Sequence, residues 1–397
     1  MFNRRRFLKS KLSLAAMGTW FPGRKAAAAT VKRDFFKELG VNEFINAAEP
    51  FTALSGSLMP PGIMEAMQYA APRYVRLDEL HDAVGKRIAQ MIGCEAAMVT
   101  AGAASALTLG TAACITGPDR EKIRRLPDTT GMKTEVIIQK SHRYGYDHAV
   151  RNCGIRYVEV ETHEELEKAV GERTAMMHFF NTNGPIGKIK LAEFAELAKK
   201  HRIPSFNDIA ADVPPIENLA NSIKLGYDLV AVSGGKGMRG PQSCGLLFGN
   251  KDLIRAARLN GPPNSDAIGR GMKVNKEELV GMLVALELYY QRDHTADWRE
   301  WEQRVNAIRD SVSSIDGVRS EMFVPEIHYR VPHVRIMWDQ SGSRLTYADA
   351  IGRLRDGNPS IEVRPNNREG LELGVWMLEP KEVEIVARRV REVLKGA

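Results

Sequence analysis

From residue 61 to about residue 248, short apolar runs alternate with amphipathic stretches, the spacing of strands and helices wound into a mostly parallel sheet. Strands are predicted near residues 96–100, 135–139, 156–160, 174–179, 203–207, 228–233 and 244–248, with helices between them. The stretch 191–201 is the clearest helix. Leu191, Phe194, Ala195, Leu197 and Ala198 share one face at helical spacing, so they belong to a core and carry no chemistry. Gly261-Pro262-Pro263-Asn264 opens a linking loop over 260–275, ahead of a long helix starting near Lys276. Beyond it, 333–338 and 371–377 alternate like strands of a separate sheet, and 380–394 repeats like an amphipathic helix. The pattern divides the chain into an arm over 31–60, a large α/β domain over 61–259, the linker over 260–275 and a smaller C-terminal α+β domain over 276–397.

Composition agrees with an enzyme-sized globular protein: 397 residues, 44% hydrophobic, 26% charged and 7% aromatic. That excludes disorder, collagen and coiled coil. The net charge of +7 hints at a polyanion partner, but seven of the 56 basic residues lie in the first 30 positions with no acid among them. The remaining basic residues balance the 49 acidic ones, so no nucleic-acid partner is expected. Those first residues read Asn3-Arg4-Arg5-Arg6-Phe7-Leu8-Lys9, then a weakly apolar stretch over 12–21, then alanines over 26–29. This is the form of a twin-arginine signal peptide spanning 1–30, cleaved near Ala28 or Ala29. Its apolar run falls well short of the ~20 residues a membrane span needs. Export to the periplasm in a folded state is therefore expected, with any cofactor inserted beforehand. Cys94, Cys114, Cys153 and Cys244 stand far apart without a C-x-x-C, so no metal site is expected and buried free thiols are.

Four polar features fall at the ends of predicted strands, where open α/β sheets bind ligands. Thr100-Ala101-Gly102-Ala103-Ala104-Ser105 places small residues between strand and helix, where bare backbone N–H groups cradle a phosphate or simply permit a tight turn. Ser141-His142-Arg143 offers a histidine to lie against a flat ring or carry a proton, although a loop histidine commonly does neither. Asp208, in Asn207-Asp208-Ile209-Ala210, is placed either to hold a ring nitrogen protonated or to cap the next helix. Ser233-Gly234-Gly235-Lys236-Gly237-Met238-Arg239-Gly240-Pro241 sets a lysine among glycines, where it can bond an aldehyde cofactor. A nucleotide P-loop is excluded, because Gly237 follows Lys236 in place of Ser or Thr and Val230 occupies the first glycine position. Cradle, histidine, carboxylate and lysine follow one another in the order of a pyridoxal-phosphate enzyme with an aspartate-aminotransferase-like fold, Asp208 preceding Lys236 by 28 positions.

The sequence resembles the selenocysteine-synthase-like (SelA-like) branch of fold type I pyridoxal-phosphate enzymes, particularly the D-glucosaminate-6-phosphate ammonia-lyase group. The resemblance covers essentially the whole mature chain. It rests on Phe44-Ile45-Asn46-Ala47, Ser55-Gly56-Ser57-Leu58-Met59-Pro60, Thr100-Ala101-Gly102-Ala103-Ala104, Ser141-His142, Ser233-Gly234-Gly235-Lys236 with Gly240-Pro241-Gln242, and Met272-Lys273-Val274-Asn275-Lys276-Glu277-Glu278. It implies an aminotransferase-like α/β fold with a mostly parallel central sheet, pyridoxal 5'-phosphate on Lys236, Asp208 at the ring nitrogen and His142 on the ring face. Ser233 and the backbone of Gly102, Ala103, Ala104 and Ser105 would hold the phosphate. A homodimer or higher homo-oligomer is implied as well, with Arg270 or Lys273 reaching a partner's site. Two departures count against the family's sugar-phosphate substrate: Ala48-Glu49 stands where a glycine is expected after Asn-Ala, and Arg239 puts a cation beside the lysine.

The expected function is that of an exported lyase that removes water and ammonia from a hydroxylated amino acid or amino-sugar acid, leaving a keto acid. Arg364, in Ile361-Glu362-Val363-Arg364, is the candidate to grip the substrate carboxylate, with Arg239 and Arg270 as rivals. Aminotransferase or racemase chemistry on the same lysine is the alternative. A periplasmic binding protein that has kept the fold is a further one, disfavoured because Lys236, Asp208 and His142 all stand.

Overall fold

The computed structural model describes residues 33–340, 345–365 and 370–395, so the predicted leader lies outside the described residues. Ahead of Phe44 is a unit of its own, holding the short helix Phe35–Leu39, capped by the Asp34 side chain and by Gly40 in a left-handed conformation. Everything from Phe44 onward forms the second unit. Its strands are β1 (Phe44–Ala47), β2 (Ala96–Thr100), β3 (Glu135–Gln139), β4 (Arg156–Val160), β5 (Thr174–Phe180), β6 (Ser205–Asp208), β7 (Leu229–Ser233), β8 (Gly245–Gly249), β9 (Val318–Phe323), β10 (His333–Trp338), β11 (Ser360–Val363) and β12 (Leu371–Gly374).

Seven strands make the main sheet in the order β2-β8-β7-β6-β5-β3-β4. Pairings from β7 through β4 are parallel, and β8 runs antiparallel to both of its neighbours. Helices cover both faces, which is why β3, β5 and β7 are apolar runs in place of alternations: Val136, Ile137, Ile138, Met176, Met177, Val230 and Val232 are all fully buried. Helix Gly102–Thr116 is built from small residues and buried on nearly every side. At Gly110 an added Cβ would stand 2.5 Å from the Phe206 ring, so the helix needs that glycine to lie on β6.

The helix predicted near Lys276 is present as Lys276–Gln291, started by a capping box between Asn275 and Glu278. Its Leu279, Met282, Ala285, Leu286 and Tyr289 join the core of the main sheet, together with helices Pro61–Ala70 and Leu77–Ile92. The C-terminal core is separate, with Trp301, Val305, Val334, Ile336, Leu354, Leu373, Val386 and Val390 packed behind the antiparallel sheet β12-β10-β9. The predicted strand over 371–377 stops at Gly374, and Val375–Leu378 continue as buried chain. β1 was expected in an arm but pairs in parallel with β11, Asn46 opposite Glu362, so residues 44–47 are built into the C-terminal portion. The four cysteines are free. Among the described residues, no helix is long and apolar enough to cross a membrane.

Candidate active site

The C-terminal ends of the parallel strands open into a cavity of roughly 310 Å³. Its wall draws on every layer of the fold: Gly102, Ala103 and Ala104 after β2, Tyr144 and Tyr146 after β3, Phe180, Asp208 and Ser233 at the ends of β5, β6 and β7, and Lys236 after β7. Phe51 and Thr52 close one side, and His328, Tyr329 and Arg364 come from the C-terminal portion.

Lys236 is held by a loop that only glycines allow. A Cβ at Gly235 would lie 2.4 Å from the Gln242 Cα, and one at Gly237 would lie 2.2 Å from the Val213 carbonyl oxygen. Gly240 N–H donates to the Gly234 carbonyl at 2.8 Å and closes the turn. Ser57 Oγ donates to the Gly235 carbonyl at 3.0 Å, and Gln242 Nε2 donates to the Thr52 carbonyl at 3.0 Å, which ties the segment after β1 to this loop. Burial disfavours the ammonium form of Lys236 and lowers its pKa below the ordinary lysine value, against the opposing pull of Asp208, Asp212 and Glu49.

Asp208 is fully buried, and burial raises its carboxyl above the ordinary range. The Tyr144 hydroxyl donates to its Oδ2 and the Ala210 N–H donates to its Oδ1 at 2.9 Å, while Lys236 also favours the charged form. A carboxylate kept dry with few donors suits a cationic partner in the cavity. Helix Gly102–Thr116 begins without any side-chain cap, so its first N–H groups and its positive end face the cavity unclaimed. Gly245 makes that possible, since a Cβ there would stand 2.6 Å from the Ala103 nitrogen. An amine of weakened basicity, a buried carboxylate and an uncapped helix terminus in one cavity are the donor set that pyridoxal phosphate needs, and the residues fit the group.

The structure thus brings together Lys236, Asp208, Ser233, Gly102, Ala103, Ala104 and Arg364. It places the other expected residues elsewhere. His142 is fully buried and does not line the cavity; its ring stands edge-on to Phe179 at 4.4 Å. Its Nδ1 accepts the Phe180 N–H at 3.2 Å, and burial depresses its pKa to about 4. The 3-10 turn Lys140–His142 is the cause: it rotates His142 into the core and leaves Tyr144, two residues on, facing the cavity. Ser105 also lies outside the cavity wall, its hydroxyl donating to the Ala101 carbonyl at 2.7 Å within the first helical turn. Arg239 turns away from Lys236, donating to the Leu58 carbonyl at 2.9 Å and to Glu379 at 3.0 Å. Arg270 is exposed and lies outside the wall.

Sequence reasoning missed the aromatic wall. Tyr144 stacks on Phe180, with ring centroids 3.8 Å apart and planes 7° from parallel. Lys236 Nζ lies 5.7 Å from the centre of the Tyr329 ring. His328 and Tyr329 both adopt left-handed backbone conformations, φ 58° and 44°. The pair of tyrosines around Gly145 was a legible signal for the first of these; nothing local marked the second.

The family described as "SelA: L-seryl-tRNA selenium transferase" matches residues 73–299. The D-glucosaminate-6-phosphate ammonia lyase of Salmonella typhimurium is 28% identical over 380 residues, covering 92% of this chain and 99% of the relative. A solved structure of a D-glucosaminate-6-phosphate ammonia-lyase superposes with a TM-score of 0.81 at 27% identity, covering 92% of this chain and 99% of that one. The 5'-C-glycyluridine monooxygenase-decarboxylase of a Streptomyces species is 29% identical over 378 residues, covering 90% of this chain and 92% of the relative. A serine palmitoyltransferase structure with pyridoxal phosphate shares the fold alone, with a TM-score of 0.58 at 14% identity over 89% of this chain and 88% of that one. The chain therefore belongs to the SelA family and is an enzyme of the pyridoxal-phosphate-dependent fold type I.

Proposed function

We propose that this enzyme is an ammonia-lyase that converts a hydroxylated amino acid or amino-sugar acid to a keto acid and ammonia. The observation that carries it is the cavity in which the Lys236 amine, the Asp208 carboxylate and the uncapped start of helix Gly102–Thr116 meet. Similarity along nearly the full chain to an ammonia lyase of an amino-sugar acid supports the reaction class.

Lys236 Nζ would hold the aldehyde of pyridoxal phosphate, Asp208 would keep the ring nitrogen protonated, and Ser233 with the Gly102, Ala103 and Ala104 backbone would take the phosphate. Bound there, the cofactor supplies an electron sink for the carbon that bears the substrate amine. Lys236 Nζ would also be the group to take the proton from that carbon; its depressed pKa leaves more of the amine neutral and able to do so. Arg364 orients the substrate by its carboxylate. Tyr144, Phe180 and Tyr329 exclude water from the reacting atoms. Loss of the neighbouring hydroxyl as water, followed by hydrolysis, gives keto acid plus ammonia and leaves oxidation state unchanged overall.

The substrate assigned is an amine without a second phosphate, because among the described residues Lys236 and Arg364 are the only lysine or arginine side chains lining the cavity. The proposal includes a twin-arginine leader over 1–30, export to the periplasm, and a homodimer. The test is to supply D-glucosaminate and a set of D- and L-hydroxy amino acids, without added keto acid, and to measure ammonia and keto acid in parallel. Equal release of both supports the lyase. Transfer of the amine to an added keto acid, or inversion without ammonia, overturns it in favour of an aminotransferase or a racemase.

A further inference from the structure

The segment after β1 delivers a carboxylate to a place where the resemblance leads one to expect glycine. Asn46 folds the chain back on itself: its Oδ1 accepts the Ala48 N–H at 3.0 Å and its Nδ2 donates to the Glu49 carbonyl at 3.2 Å. Gly374 makes room, since a Cβ there would lie 2.1 Å from the Ala48 carbonyl oxygen. Glu49 is thereby completely buried between β1 and the C-terminal sheet.

Its two oxygens are claimed by separate groups. Trp376 Nε1 donates to Oε2 at 2.8 Å. His333 Nε2 lies 2.5 Å from Oε1, and the other ring nitrogen of His333 is 2.7 Å from the Val331 carbonyl oxygen, so the histidine is fixed at both ends. Arg364 Nε stands 3.5 Å from the same Oε1. A second buried acid, Glu372, stands 3.6 Å from Arg364 Nη1. Arg364 is therefore held from behind by two carboxylates, at Nε and at the buried Nη1, while its side chain lines the cavity. A guanidinium whose inner edge is fixed by acids presents its remaining edge in one orientation, which suits bidentate recognition of a carboxylate entering the cavity.

We infer that Glu49 is a positioning residue: by fixing the Arg364 guanidinium from behind, it sets where the substrate carboxylate is gripped. This rests on the reading of Arg364 as the carboxylate receptor and adds a specificity element to it. Glu49 does not line the cavity, so it acts only through Arg364.

The test uses the holoenzyme and three amine-free carboxylates, acetate, glycolate and D-gluconate, titrated by calorimetry; none can react with the cofactor. Glu49→Gln is expected to weaken the tightest of them about tenfold, the range of a charge-assisted hydrogen bond. It should raise KM for the amino substrate while leaving kcat and the bound-cofactor absorbance near wild type, a split that a merely structural role would not produce. Arg364→Gln should weaken the same carboxylate, and the double variant should lose no more than the worse single one. Trp376→Phe removes one donor to Glu49 without changing charge, and should weaken binding severalfold even where Glu49→Gln does not fold. Wild-type affinity in Glu49→Gln or, failing that protein, in Trp376→Phe, alongside loss in Arg364→Gln, overturns the inference and leaves the lyase reading intact. Unchanged affinity in Arg364→Gln, or no carboxylate bound by the wild type, overturns the carboxylate grip and this inference together, while ammonia release still reports separately on the lyase.

Discussion

At the scale of single residues, the site joins groups whose charged forms are disfavoured by burial. Lys236→Ala removes both the cofactor anchor and the proton acceptor, so kcat should fall by more than about 10³-fold, measured as ammonia release, and borohydride should no longer fix cofactor to the protein. Asp212 makes a second prediction. It is buried and accepts from the Thr182 hydroxyl, and burial pushes its carboxyl up to about 6. An acid whose folded pKa exceeds its unfolded value stabilises the fold at low pH, and that contribution is lost as pH rises from about 4 through 6. Asp212→Asn should therefore raise unfolding free energy at pH 7.5 by about 1–3 kcal/mol and give no gain near pH 4, as read from urea titrations at both pH values. Lys236 and Asp208 could be placed from sequence because glycine density and strand ends are local properties. His142 could not, because one 3-10 turn decides which of His142 and Tyr144 meets the cavity, and that choice depends on Gln139 and Phe179 packing around the histidine.

At the scale of elements, the strands of the main sheet were legible to within a residue or two, since a strand covered on both faces must be an unbroken apolar run. The helix Lys276–Gln291 was equally legible through Asn275 and its capping box, but its allegiance was not: its contacts with the main-sheet core come from residues nearly 200 positions earlier, such as Ile88. The pairing of β1 with β11 joins positions more than 300 apart, and no periodicity encodes it. The lysine loop is where an element constrains chemistry most tightly. Gly237→Ala forces a methyl against the Val213 carbonyl, so the loop must shift. The purified variant should retain much less cofactor after dialysis than wild type, measured by its visible absorbance, with far-ultraviolet dichroism unchanged.

At the scale of the whole molecule, charge is unevenly spread: seven basic residues and no acid lie in the first 30 positions, and the rest of the chain is balanced. The proposed leader makes its own prediction: replacing Arg4, Arg5 and Arg6 by lysine should leave the full-length, cofactor-loaded protein in the cytoplasm, as read by fractionation and immunoblot, while the wild type is expected shortened in the periplasm. Exposed Leu58, Met64, Tyr69 and Tyr74 provide apolar surface near helix Pro61–Ala70 for the proposed homodimer. The chain that follows β1 passes through the ion-pair cluster at Glu49 and then supplies Phe51 and Thr52 to the cavity wall. Because β1 is zipped to β11, whose next residue is Arg364, while the Thr52 carbonyl is bonded to Gln242 of the lysine loop, residues 48–52 bridge the carboxylate receptor to the lysine loop. A displacement of the receptor would then be passed to the amine through a bridge of only a few residues, so loosening that bridge should disturb acid-group alignment and amine placement together.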